Sequence, residues 1–93
     1  MKFDWDPKKN ESNFKKHKIR FEEAETVFLD DRAVEIFDEK NSNDEDRFIV
    51  IGISLVSREL MVCYCYRNGE DIIRIFSARR ATKAERQLYE RGG

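Results

Sequence analysis

Between Arg47 and Ser77 apolar and polar residues alternate in three runs separated by two short turns, a pattern that leaves few folds open. Arg47 to Leu55 places Ile49, Ile51, Ile53 and Leu55 on one side. Glu59 to Arg67 sets Leu60, Val62, Tyr64 and Tyr66 against Met61, Cys63 and Cys65, and Asp71 to Ser77 makes the third run. Period-two alternation marks strands. Val56-Ser57-Arg58 makes the first link and Arg67-Asn68-Gly69-Glu70 the second, whose Asn-Gly pair tolerates the positive φ of a tight hairpin. Strands joined this closely run antiparallel, and their buried face needs helices over it.

The flanks supply those helices. Lys2 to Trp5 has the pattern of a short opening strand, and Asp6-Pro7 places an N-cap acceptor ahead of proline at the first helical position. In the helix that follows, Asn10, Asn13, Phe14 and His17 share one face. Phe21, Ala24, Val27 and Phe28 predict a second helix ending near Leu29-Asp30-Asp31, with Glu22, Glu23 and Glu25 early in it, where the dipole favours acids. Ala33 to Asp38 reads as a further strand, 39–46 as a polar loop, and Thr82-Lys83-Ala84-Glu85 as a capping box opening a last helix to about Tyr89. The expected fold is one α+β domain over 1–93: two N-terminal helices, an antiparallel three- to four-stranded sheet, and a C-terminal helix.

The net charge of −1 over 93 residues conceals a segregated pattern. Residues 1–20 carry seven Lys/Arg against three acids (+4), residues 21–46 two against eleven (−9), and residues 47–93 nine against five (+4). A basic face able to hold nucleic acid is therefore compatible with the near-neutral total. No apolar run is long enough to span a bilayer and no signal-peptide pattern opens the chain, so a soluble cytoplasmic protein is expected. Cys63 and Cys65 sit at i and i+2, poorly placed to bridge each other, and read as reduced residues.

The candidate chemistry lies in Ile72-Ile73-Arg74-Ile75-Phe76-Ser77-Ala78-Arg79-Arg80. A sheet needs no arginine in order to pack, whereas guanidinium forks along a strand and at its exit suit phosphate oxygens. No phosphate loop, nucleophile elbow or metal-ligand spacing occurs, and a lone histidine excludes a His/His metal site. Arginines, lysines, a histidine and carboxylates are instead the inventory for RNA cleavage without a metal. The 2′-hydroxyl is the nucleophile, an arginine stabilises the charged phosphorane, and a titratable group moves the protons. His17, Arg74 and Arg79 are the candidates for that chemistry, with Lys16, Arg67 and Arg80 as RNA-binding residues. Each has a plainer alternative: His17 as a half-buried helix-end residue, Arg74 as one half of an ion pair with an acid such as Glu85, and the others as surface charge. Tyr64 and Tyr66 read as core or sheet-face aromatics, and Trp5 as an anchor closing the helix layer over the sheet.

Trp5-Asp6-Pro7-Lys8, Lys16-His17-Lys18-Ile19 and Phe21-Glu22-Glu23-Ala24, then Arg47 with Gly52, Ile73 to Ala81, Glu85-Arg86 and Tyr89, together resemble the BrnT family of ribonuclease toxins from bacterial type II toxin–antitoxin systems. Lys18 departs from that family, which usually carries glycine after the histidine. The resemblance implies a RelE-like fold and a metal-free endoribonuclease needing no cofactor. It also implies a BrnA-type ribbon-helix-helix antitoxin that assembles with the toxin as a heterotetramer and alone contacts operator DNA. Two other readings stay open: a non-catalytic module binding a protein or nucleic acid through its basic faces, and a DNA-binding regulator acting alone, which no helix-turn-helix spacing supports.

Overall fold

In the computed structural model, which describes residues 1–92, the first helix starts where the sequence predicts. Asp6 Oδ1 accepts from Lys8 N at 2.9 Å, Pro7 occupies the first turn, and α1 runs Pro7–His17. It stops at Lys18, which takes the left-handed conformation (φ 61°, ψ 28°) and donates its N–H to Phe14 O. A lysine here accepts the steric penalty that glycine avoids.

The expected second helix is shorter than its apolar spacing suggested. One α turn, α2 (Phe21–Ala24), tightens into a 3₁₀ segment over Glu25–Leu29. Thr26 accounts for part of the change: its hydroxyl donates to Glu23 O at 2.7 Å and accepts from Leu55 N at 2.9 Å, tying the segment to the sheet.

The strands are β1 (Lys2–Asp4), β2 (Val34–Phe37), β3 (Arg47–Ile53), β4 (Glu59–Arg67) and β5 (Ile72–Arg80), in the spatial order β1-β5-β4-β3-β2. β2 to β5 are antiparallel, as their short links require. The expectation of a three- to four-stranded, wholly antiparallel sheet is corrected to a mixed sheet of five, because β1 pairs in parallel with β5, Asp4 opposite Arg74. The short-link argument governs consecutive strands only, and most of the chain lies between these two. β5 also runs three residues past its expected end, through an irregularity in which Tyr64 pairs with Ile75 and Cys63 with Ser77, leaving Phe76 as the extra residue. The last helix, α3 (Lys83–Arg91), opens on the predicted capping box, with Glu85 N donating to Thr82 Oγ1 at 3.2 Å and Thr82 N to Glu85 Oε1 at 2.8 Å.

Ile19, Phe21, Ala24 and Val27 pack against Val50, Leu60, Val62, Tyr64, Ile73, Ile75 and Ala78 to form the core, with Trp5 edge-on to Phe21 at 6.0 Å. Gly52 allows the 3₁₀ segment to lie close on the sheet, since a Cβ there would meet Val27 Cγ1 at 2.8 Å. Tyr64 and Tyr66 belong to this face, and both hydroxyls donate to Glu35. Asp30 ties three parts together, its Oδ2 accepting from Ile53 N at 2.8 Å and from the Tyr89 hydroxyl of α3 at 2.7 Å. No helix among the described residues is long and apolar enough to cross a membrane.

Beyond Arg74 the outer edge of β5 has no strand beside it, and α1 supplies a side chain instead. Ala78 N donates to Asn13 Oδ1 at 3.1 Å, and Asn13 Nδ2 donates to Ala78 O and to Ile19 O, each at 2.8 Å. One turn earlier Asn10 Oδ1 accepts from Phe21 N at 2.8 Å, while Nδ2 donates to Glu22 Oε1 at 2.8 Å. Both asparagines are 7% exposed. Asn13→Ala should lower stability by about 2–4 kcal/mol, since it leaves buried backbone groups without partners. Lys18→Gly should raise stability by about 1 kcal/mol by relieving the left-handed backbone. Urea unfolding of the two variants beside the parent protein checks both signs.

Candidate nucleic-acid interface

Because β4 alternates, the side chains of Met61, Cys63, Cys65 and Arg67 point away from the core. The pairing registers place Arg47 and Arg74 on either side of Cys65, Ser77 beside Cys63 and Arg79 beside Met61. Arg47, Arg67, Arg74 and Arg79 therefore lie on one sheet face, opposite the one that packs on Phe21 and Val27. Arg74 and Arg79 are on the same side of β5 with Ser77 between them, an arrangement that depends on the irregularity at Phe76. Without the extra residue, positions 74 and 79 would point to opposite faces.

Each guanidinium on this face has a carboxylate beside it. Arg74 Nη1 pairs with Asp4, its partner in the β1–β5 ladder, rather than with Glu85, the alternative considered from the sequence. Glu85 is held by Arg79 in a bidentate fork, Nη1 to Oε1 at 2.8 Å and Nη2 to Oε2 at 2.9 Å. Glu45, in the polar loop, reaches Arg67 at 3.3 Å and Arg47 at 3.6 Å. Burial alone would raise the Glu85 carboxyl, but the Arg79 fork and the Thr82 amide outweigh it and hold the group below its ordinary value.

His17 ends α1 and is half-buried at the border of this face. It lines a shallow groove of about 230 Å³ with Lys9, Ser12, Asn13, Lys16, Phe76 and Ser77. Ser77 connects the groove to the arginine row. The structure thus gathers His17 and Lys16 at the edge, with Arg74, Arg79 and Arg67 across the adjoining face. Arg80, next to Arg79 and opposite Leu60, points to the other side. Three further groups belong to the surface and were not among the sequence candidates: the Arg47 guanidinium stacks 4.0 Å from the centroid of Phe76, and Lys9 Nζ lies 5.6 Å from the same ring. Arg47 opens a strand in step with Ile49 and Ile51, so its face is legible from alternation. Its neighbour across the sheet is not.

Four guanidiniums thus share one sheet face, with an imidazole and two lysines at its edge. Residues 5–85 match the family described as the ribonuclease toxin, BrnT, of type II toxin–antitoxin systems. The chain is therefore a toxin of the ribonuclease class, of the kind countered by an antitoxin. It belongs to the BrnT family. The fold is similar to that of the Brucella abortus ribonuclease toxin BrnT, known from a 1.1 Å crystal structure, with a TM-score of 0.66 and 24% identity over 89% of this chain and 99% of that one. No match was found among curated proteins.

The charge pairing carries a pH signature. Glu23 and Glu85 are both held below the ordinary carboxyl value of 4.5, so the unfolded chain takes up protons more readily than the folded one as acid is added. The stability these two carboxylates contribute should be present above 4.5 and be lost as the pH falls below it. In Glu85→Gln that acid decline should be shallower by the contribution of one carboxyl, and urea midpoints from pH 3 to 6 would show the difference.

Proposed function

We propose that the protein is an endoribonuclease that works without a metal ion, cutting at a phosphodiester held between the arginine row and His17. The observation that carries this reading is the alignment of Arg74 and Arg79 on one side of β5 around Ser77, beside the His17 groove. RNA supplies its own nucleophile, so the protein has three tasks: remove the 2′-hydroxyl proton, stabilise the additional charge on phosphorus, and protonate the departing 5′-oxygen. The bond formed is 2′-O to phosphorus and the bond broken is phosphorus to 5′-O, giving a cyclic phosphate and a free 5′-hydroxyl. The guanidiniums of Arg74 and Arg79 perform the second task, being permanently charged and forked to fit two phosphate oxygens. His17 transfers a proton. Lys16 and Arg67 hold the flanking backbone.

For this to happen, phosphate must replace the carboxylates of Asp4 and Glu85 at the guanidiniums. The exposed pair with Asp4 contributes only about 0–1 kcal/mol, and at the more buried Arg79 fork a phosphate presents the same two-oxygen geometry as the Glu85 carboxylate it replaces. The inhibitory partner in this reading is a BrnA-type ribbon-helix-helix protein, assembled with the toxin as a heterotetramer through which operator DNA is bound.

One observation favours a different reading. Both central guanidiniums are already matched by acids, as they would be in a non-catalytic module that binds a partner or nucleic acid. The two readings separate in a single experiment. Purified protein incubated with RNA in EDTA should cleave it, and Arg74→Ala should reduce the rate by about 100-fold or more, the scale seen when one transition-state donor is removed, with the thermal melt retained. Intact RNA in EDTA, with stoichiometric binding and no turnover, would assign the protein to the second reading.

A further inference from the structure

The pairing register that places Arg79 on the row described above turns its neighbour Arg80 to the opposite side of the sheet, where it meets two more arginines. Arg58, Arg80 and Arg86 line a polar cavity of about 200 Å³ with Ser57, Glu59 and Ala81. The three come from separate parts of the chain: the start of the β3–β4 hairpin's second arm, the last residue of β5, and the first turn and a half of α3. Ala81 N donates to Glu59 O at 2.9 Å, fixing the strand end that forms the floor.

The charges around this cavity do not balance. Glu23 is the acid committed to it, and its carboxylate is saturated. Ser54 Oγ donates to Oε2 at 2.7 Å, Arg58 Nε donates to the same oxygen at 3.0 Å, and Arg58 Nη2 bonds Oε1. Glu59 faces the same space, with Oε2 buried and without a hydrogen-bond partner. Among the described residues neither Arg80 nor Arg86 forms an ion pair. Three guanidiniums therefore share two carboxylates, which leaves one positive charge in excess, and the two forks without an ion pair belong to exposed side chains opening on one cavity. Arg58, locked to Glu23, is the rigid member, while Arg80 and Arg86 are free to close on a ligand.

We propose that Arg58, Arg80 and Arg86, with the hydroxyl of Ser57, form a second binding site for a phosphate of the RNA backbone, distinct from the row that holds the scissile group. This inference rests on the RNA reading given above. Adjacent residues Arg79 and Arg80 then grip the strand from the two sides of the sheet end, and the RNA passes over the exit of β5. The cavity is polar and arginine-lined with little apolar surface, which fits a phosphodiester better than the apolar side chains of a protein segment.

The test measures binding apart from cleavage. A 2′-O-methyl RNA dodecamer, which has no free 2′-hydroxyl to attack, is titrated by fluorescence anisotropy against the parent protein and Arg80→Gln/Arg86→Gln across a range of salt. Neither side chain forms an ion pair, so the double variant should keep its thermal melt. Lys2→Gln/Lys40→Gln removes the same charge from exposed positions elsewhere and serves as the comparison. The site predicts that log K against log salt becomes shallower by about 1.4 for the arginine pair, corresponding to about 25-fold weaker binding at 0.1 M salt, and that the lysine pair changes far less. Equal effects from the two pairs, no binding by the parent protein, or unchanged RNA affinity with lost antitoxin binding would each overturn the proposal. If the parent protein leaves unmodified RNA intact yet shows the predicted change on the dodecamer, the second site stands and only the nuclease reading falls.

Discussion

The carboxamide of Asn13 joins α1 to the sheet. β1 is three residues long and stops pairing at Asp4, leaving the remainder of β5 with an open edge. Asn13 presents an amide oxygen and an amide nitrogen to Ala78 in the way a neighbouring strand would present its backbone, and the same nitrogen reaches Ile19 just past the helix. Asn10 repeats the device at Phe21. Hydrogen bonds are directional, so these contacts set both the position of α1 along β5 and its rotation, which apolar packing alone would leave loose. The placement of the candidate surface follows. With Asn13 and Asn10 turned inward, Lys9, Lys16 and His17 fall on the border of the arginine face.

The segregated charge of the sequence is intermixed in space. The acidic middle segment sends Glu23 to Arg58 and Glu45 to Arg47 and Arg67, while Asp4 of the basic N-terminal segment reaches Arg74. The arginine face is thus neutralised in pieces by acids that come from loops, an edge strand and a helix start. Asp4 and Glu45 are the lightly held partners, whereas Glu23 and Glu85 are fixed by several hydrogen bonds each. Together these pairs keep a strongly cationic surface compatible with folding.

Much of this was legible in the chain. Alternation located β3, β4 and β5, the Asn-Gly pair located their hairpin, and Asp6-Pro7 and Thr82 marked two helix starts. What escaped the reading has a common physical origin: it depends on residues distant in sequence. β1 is too short to show a period, and its parallel partner lies seventy residues away. The apolar spacing of Phe21 to Phe28 suits an α-helix, but the bond from Leu55 to Thr26 tightens its second half. At the candidate site, the face of each arginine followed from counting only up to Phe76. The extra residue there inverts the count for everything after it, so Arg79 and not Arg80 joins Arg74. Glu85, an available partner for Arg74 in the linear chain, belongs to Arg79 because the helix it caps begins directly after that strand. The family likeness drawn from scattered motifs, by contrast, needed no geometry and agrees with the match over residues 5–85.

Glu85 also couples two events that the sequence keeps six residues apart. One of its oxygens accepts both from Arg79 and from the amide of Thr82, so the same carboxylate secures a strand's guanidinium and the start of α3. Withdrawing Arg79 alone leaves the amide bond in place and the helix wound. Neutralising the carboxylate weakens both attachments together. Arg79 can therefore change partners while the backbone around it stays fixed, as a hinge pin can be drawn without moving the frame.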